Sequence, residues 1–109
     1  MENRDMLSKI RQSKWIKNNG TVLRAINTLR VKYVALTDLQ YALEPEVTKP
    51  DITDSVHYLH ESGYIQLRHI GTKEDTSLAD TPYDELEAML TADGIRLLAG
   101  KRTDDCIDI

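Results

Sequence analysis

The chain has 109 residues, 40% of them apolar and 29% charged, which fits a single globular domain with one modest core and excludes two. Its net charge is −4, and Phe is absent, so the core must be built from Leu, Ile, Val, Ala and a few Tyr. The single cysteine, Cys106, excludes an intrachain disulfide, no apolar run approaches bilayer-spanning length, and the opening MENRDMLSKI lacks the apolar stretch of a signal peptide, so cytoplasmic residence is the expectation.

Residues 3–17 carry Met6, Leu7, Ile10, Trp15 and Ile16 among charges, an imperfect helical pattern that one helix or two short ones would satisfy. This end is basic. Residues 1–32 hold eight Lys and Arg against two acids, a net of +6, while the remainder holds six against sixteen, a net of −10. Such asymmetry points to a polyanion-facing end or, more simply, to a solvated basic helix beside an acidic body. Asn18-Asn19-Gly20 predicts a break. Thr21 then caps a new helix, with Val22, Ala25, Ile26 and Leu29 on its apolar face and Arg24, Asn27 and Thr28 opposite.

Lys32–Leu36 is β-inclined, with Val34 and Leu36 to one side. Thr37-Asp38-Leu39-Gln40 has the pattern of a capping box, in which Thr37 caps forward and Gln40 reaches back. It opens a short helix with Leu39, Ala42 and Leu43 inward, which Pro45 ends. Lys49-Pro50 starts the next helix, since proline suits the first turn. Ile52, Val56 and Leu59, joined by Gly63, fall on one side of it, and Thr53, Asp54, His57, Tyr58 and Glu61 on the other. Gly63 is the expected left-handed C-cap. Tyr64–Ile70 alternates as a half-buried strand, with Ile65 and Leu67 inward and Tyr64, Gln66 and Arg68 outward. Residues 71–83 are polar and turn-rich, a long hairpin loop whose tip is expected to be mobile. The returning strand turns Leu86, Ala88 and Leu90 inward and Glu85, Glu87 and Met89 to solvent. Thr91 caps a last helix containing Ala92, Ile95, Leu98 and Ala99, which Gly100 stops. Residues 103–109 read as an acidic tail, disordered or loosely docked.

A short helix, a turn and a longer helix, followed by a two-stranded hairpin, make a helix-turn-helix with a wing. The predicted architecture is therefore α+β: a winged helix-turn-helix, with a three-helix core, a small antiparallel sheet and wing, and N-terminal and C-terminal helices. The expected organisation is a basic helical extension over 1–19, the winged-helix domain over 20–100 and the acidic tail over 101–109.

The stretches TDLQYAL, ITDSVHYLHESGYIQLR and LTADGIRLLAG resemble three consecutive signatures of winged-helix transcription regulators, over roughly residues 20–100. The short chain and the ending LTADGIRLLAGKRTDDCIDI also resemble small winged-helix proteins of Mu-like transposable prophages, a likeness that implies no assigned biochemical role. The resemblance to the regulators implies double-stranded DNA as partner, with the helix at 50–62 in the major groove and Thr53, His57 and Tyr58 at base edges. Lys9, Arg11, Lys14, Lys17, Lys49, Arg68 and Lys73 are the candidates for phosphates, and a homodimer through the N-terminal helical segment is expected.

The charges pull the other way. Pro50–Gly63 holds three acids (Asp51, Asp54, Glu61) and no Lys or Arg, and in the wing Lys73 faces Glu74, Asp75 and Asp80. DNA affinity rests largely on cations that neutralise phosphates. The alternative is a protein-interaction module whose acidic helix and wing dock on a basic partner. Catalysis finds little support, because no phosphate loop, GxSxG elbow or HExxH is present. Acids around Cys106 argue against a thiolate. His57 and His60 are too few for a metal site without a third ligand such as His69 or Cys106, and no cofactor is implied. Trp15 either packs the N-terminal helix onto the domain or anchors a dimer contact.

Overall fold

The structure, a computed structural model, describes residues 2–109, and of Glu2, Asn3 and Leu29 the backbone alone. The expected inward side chain of Leu29 and the position of Met1 lie outside the described residues. The fold is α+β, with four α-helices and a three-stranded antiparallel sheet. Helix α1 spans Glu2–Ile26 and is followed by a 3-10 turn at Asn27–Leu29; strand β1 is Val34–Ala35, α2 is Leu36–Leu43 and α3 is Lys49–Glu61. Strand β2 is Ile65–His69, β3 is Leu86–Leu90 after a 3-10 turn at Tyr83–Glu85, and α4 is Ala92–Leu98. The strand order β1-β3-β2 places the returning strand in the middle. Leu67 and Val34 both pair with Ala88 from opposite sides. This layout is consistent with a winged helix.

The core lies where α1, α2 and α3 meet one face of the sheet. Ile52, Val56 and Leu59 of α3 are fully buried, as their 3.6-residue spacing predicts. Each such side chain stabilises the fold by about 1.5–3 kcal/mol relative to exposure. Val22, Leu23 and Ile26 of α1 and Leu36 and Leu39 of α2 meet them, and Ile65, Leu67, Leu86, Ala88 and Leu90 close the sheet side. Leu43 packs at the edge of this core, while Ala42 stands in solvent. Gly63 has φ +81°, the left-handed conformation expected where α3 ends. The Thr91 hydroxyl caps α4 by accepting from the Gly94 amide at 3.1 Å.

Several expectations are corrected. Asn18-Asn19-Gly20 does not break the helix, and α1 runs through it, so the extension over 1–19 and the first domain helix are one rod. Asn18, Asn19 and Gly20 are buried because the C-terminal residues lie across them. Asn19 Nδ2 donates to the Cys106 carbonyl at 2.9 Å, and a Cβ at Gly20 would collide with the carbonyl of Asp108. These residues serve a close backbone approach, which local propensity reads as a turn. The tail is therefore docked: Ile107 is 6% exposed, and its amide donates to the Asp104 carbonyl.

The capping box at Thr37 does not form. Helix α2 begins one residue earlier, at Leu36, with Ala35 as N-cap, and Gln40 bonds forward to Glu44 at 2.6 Å. Leu36 thus enters the core from a helix rather than from a strand. Tyr64 and Glu87 are buried, not outward. The loop over 71–83 is tied down by its own bonds: the Lys73 amide donates to the His69 carbonyl, the His69 amide to Glu74, and the Thr76 amide to Leu67. His69 Nδ1 accepts from the amides of Gly71 and Thr72, which leaves the proton on Nε2 facing Glu85 at 3.2 Å.

Candidate functional site

Three surfaces carry the expected site residues: the outer side of α3, the wing formed by β2, β3 and their loop, and the N-terminal half of α1. On α3, Asp54, His57 and Glu61 are exposed and Thr53 is half-buried. The Thr53 hydroxyl bonds back to the Lys49 carbonyl at 2.8 Å within its own helix. Tyr58 is turned toward α1 and the tail, and its ring meets Trp15 edge-to-face, with centroids 5.0 Å apart. Its hydroxyl donates to Asp104, which also accepts from the Tyr64 hydroxyl at 2.8 Å and from the Cys106 amide. Burial first, and then the Asp104 carboxylate, push the Tyr58 hydroxyl up to about 12. Burial alone would raise the Asp104 carboxyl, but the hydrogen bonds from Cys106, Tyr64 and Tyr58 and the charge of Arg102 outweigh it and hold Asp104 below its ordinary value. Tyr58 is thereby a structural clasp between α1, α3 and the tail, not a base-facing residue. Trp15 packs α1 onto the domain.

The wing cations are also engaged. Glu87 is 8% exposed, and its Oε1 accepts from Arg68 Nε at 2.7 Å and from Lys73 Nζ at 2.9 Å. The Arg68 guanidinium lies 3.5 Å from the centroid of the Tyr33 ring, a cation–π stack. Burial opposes the Glu87 charge, yet the hydrogen bonds and charges of Lys73 and Arg68 prevail and keep its carboxyl below the usual range. Arg68 and Lys73 thus share one carboxylate, which offsets half of their combined charge, at a position the strand alternation assigns to solvent.

Lys49 sits over the Tyr83 ring at 4.8 Å, and the Tyr83 hydroxyl donates to the Leu36 carbonyl. Lys14 reaches Asp51 at 4.0 Å across a cleft of about 430 Å³ between α1 and α3. Arg11 and Lys14 line one wall of this cleft, Asp51 and Asp54 the other, with Trp15 and Asn18 along the α1 side. Lys9, Arg11 and Lys17 are exposed and make no ion pair among the described residues. The structure therefore brings cations and carboxylates together across the cleft.

No known protein family, curated protein or solved structure matches this chain.

His57 is exposed and His60 half-buried, and no group of three potential metal-ligating side chains occurs among the described residues. No described helix is long and apolar enough to cross a membrane. Among the described residues, Asn19 Oδ1 and Ser55 Oγ are buried without a hydrogen-bond partner, both on the interior sides of α1 and α3. Sequence reasoning missed Glu87, Asp104 and Asn19. For the tail a signal existed: Ile107 is apolar in an otherwise acidic segment, and it docks, while Ile109 stays exposed. Glu87 carried none, because its strand alternates as a solvent face would.

Proposed function

We propose that the protein is a non-catalytic binding module of winged-helix type, which docks a basic, partly apolar protein segment on the acidic face of α3 and the adjoining cleft. One observation carries this reading: the exposed outer face of α3 presents Asp54, His57 and Glu61, while the wing cations that would serve phosphates are closed onto Glu87. An uncompensated acidic face repels a phosphate backbone and steers a cationic partner toward itself. Cytoplasmic residence and kinship with the winged-helix proteins of Mu-like prophages belong to the same proposal. The test uses fluorescence anisotropy with an amphipathic Lys/Leu helix and, in parallel, a DNA duplex at low salt. The peptide should bind the native chain and lose affinity when Asp54 and Glu61 are both changed to Lys; a peptide affinity indifferent to that change would refute the reading.

A second reading, a DNA-binding transcriptional regulator, is favoured by the exposed cations of α1. Lys9, Arg11 and Lys17, with Lys14 and Lys49 nearby, would take phosphates and leave Thr53 and His57 for bases. It requires duplex binding that falls steeply with salt and strengthens when Asp54 and Glu61 become Lys. Absence of any duplex affinity at low salt would remove it.

A further inference from the structure

One side of α1 and one side of α3 meet across the cleft of about 430 Å³. Arg11, Lys14, Trp15 and Asn18 recur at i, i+3, i+4 and i+7 and so share a side of α1, while Asp51 and Asp54, three apart, share the facing side of α3. Tyr58, one turn further along α3, steadies the Trp15 ring by its edge-to-face contact.

The charges of the cleft balance, two cations against two carboxylates, yet they are not paired off. Lys14 Nζ stands 4.0 Å from Asp51 Oδ2, beyond hydrogen-bond reach, and Arg11 and Asp54 make no ion pair among the described residues. Asp51 Oδ2 also accepts from the Thr48 hydroxyl at 3.2 Å, which steadies that carboxylate. Asn18 adds an independent sign. It is 8% exposed and lines the cleft, and its carboxamide has no hydrogen-bond partner among the described residues. An amide so withdrawn from water offers two donors and an acceptor to a polar group that enters.

We propose that the cleft is a binding site for a free α-amino acid with an apolar side chain. Such a molecule carries an ammonium and a carboxylate on one carbon, and the two walls bring charges of both signs within its reach. The ammonium meets Asp51 and Asp54. The carboxylate meets Lys14 and the Arg11 guanidinium, which can take it by two parallel bonds. Asn18 donates to the same carboxylate, and the apolar side chain lies against Trp15. The volume falls in the range of small-molecule sites, about 300–1,000 Å³. A small molecule of one charge only would meet a wall of its own sign. The site goes beyond the docking of a protein segment, with which it shares the cleft and Asp54 but neither His57 nor Glu61.

Trp15 is the only tryptophan of the chain, so its fluorescence reports on the cleft directly. The full chain is titrated with L-phenylalanine, L-leucine and two analogues of the former that each lack one charge: phenethylamine, without the carboxylate, and hydrocinnamate, without the ammonium. At least one amino acid should give a saturable change with a dissociation constant of about 1 mM or below. Each analogue should bind about tenfold or more weakly than L-phenylalanine, because one wall is left unmatched. Arg11→Gln should cut the preference for L-phenylalanine over phenethylamine about fivefold and leave that over hydrocinnamate, and Asp54→Asn should do the reverse. Loss of folding would not produce this crossed pattern, and both side chains are exposed, so the circular dichroism spectrum should not change.

No saturable change with either amino acid up to about 10 mM overturns the site. Equal binding of L-phenylalanine and both analogues does so too, since it would mean adhesion of an apolar body to Trp15. If the amino acids fail while the Lys/Leu peptide binds through Asp54 and Glu61, the docking face stands and the small-molecule site falls. If the peptide fails while the crossed pattern holds, the docking reading falls and the site stands.

Discussion

Single residues decide whether the tail and the wing stay closed. Gly20 lies where the Asp108 backbone crosses α1, so Gly20→Ala inserts a methyl group where no space exists. Overpacking of this kind costs about 1–3 kcal/mol. The expected outcome is a lower urea midpoint together with faster labelling of the Cys106 thiol, because the tail that carries it is lifted. An unchanged labelling rate would mean that the tail is not held at this point. Glu87 is the second such residue. Glu87→Gln removes the charge shared by Arg68 and Lys73, and should cost about 1–2 kcal/mol, less than a sealed ion pair because Lys73 is half exposed. The same change frees two cations in the wing, so duplex binding at low salt should rise above that of the native chain. A gel-shift series of the two proteins measures this directly; equal affinities would show that Glu87 does not silence the wing.

At the scale of elements, α1 is one helix with two environments. Its C-terminal half is held by Val22, Leu23 and Ile26 in the core and by the tail over Asn19 and Gly20. Its N-terminal half makes no comparable contact within the chain. Local opening free energies follow buried contacts. In dilute, monomeric protein, amide exchange should therefore be fast over residues 6–13 and slow over 18–26. Protection spread evenly along the helix would contradict this division. Helix α3 was legible because its apolar spacing, Pro50 and Gly63 all agree. The start of α2 was not, because Leu36 joins the core one residue before Thr37 could act as a cap.

For the whole molecule, 49 × 31 × 23 Å in extent, the C-terminal tail joins α1, through Asn19 and the Cys106 carbonyl, to α3, through Tyr58 and Asp104. The folded Asp104 carboxyl titrates below its unfolded value, and so does Glu87. Their contributions are complete above the ordinary carboxylate pKa of about 4 and disappear as pH falls through the lower folded values. Urea midpoints should hold steady from neutrality to about pH 5 and drop below about pH 4, the region of these carboxylates. Asp104→Asn should flatten that drop, and an acid limb identical to that of the native chain would disprove the assignment. The tyrosine clasp acts with the opposite sign. The folded Tyr58 hydroxyl titrates above its unfolded value, so its contribution is complete below about pH 10 and disappears as pH rises toward about 12.

Periodicity and punctuation alone determined the α+β architecture, the inward faces of α3, β2 and β3 and the acidic outer face of α3, because these depend on neighbours in sequence and on one shared core. Only the tertiary structure decided that Asn18-Asn19-Gly20 stays helical, that Asp104 and Ile107 dock, and that Glu87 holds Arg68 and Lys73. Each of these depends on a partner far away along the chain. A buried carboxylate between two cations has the same local pattern as one in water, and a glycine pressed against a distant carbonyl looks like a turn until that carbonyl is in place.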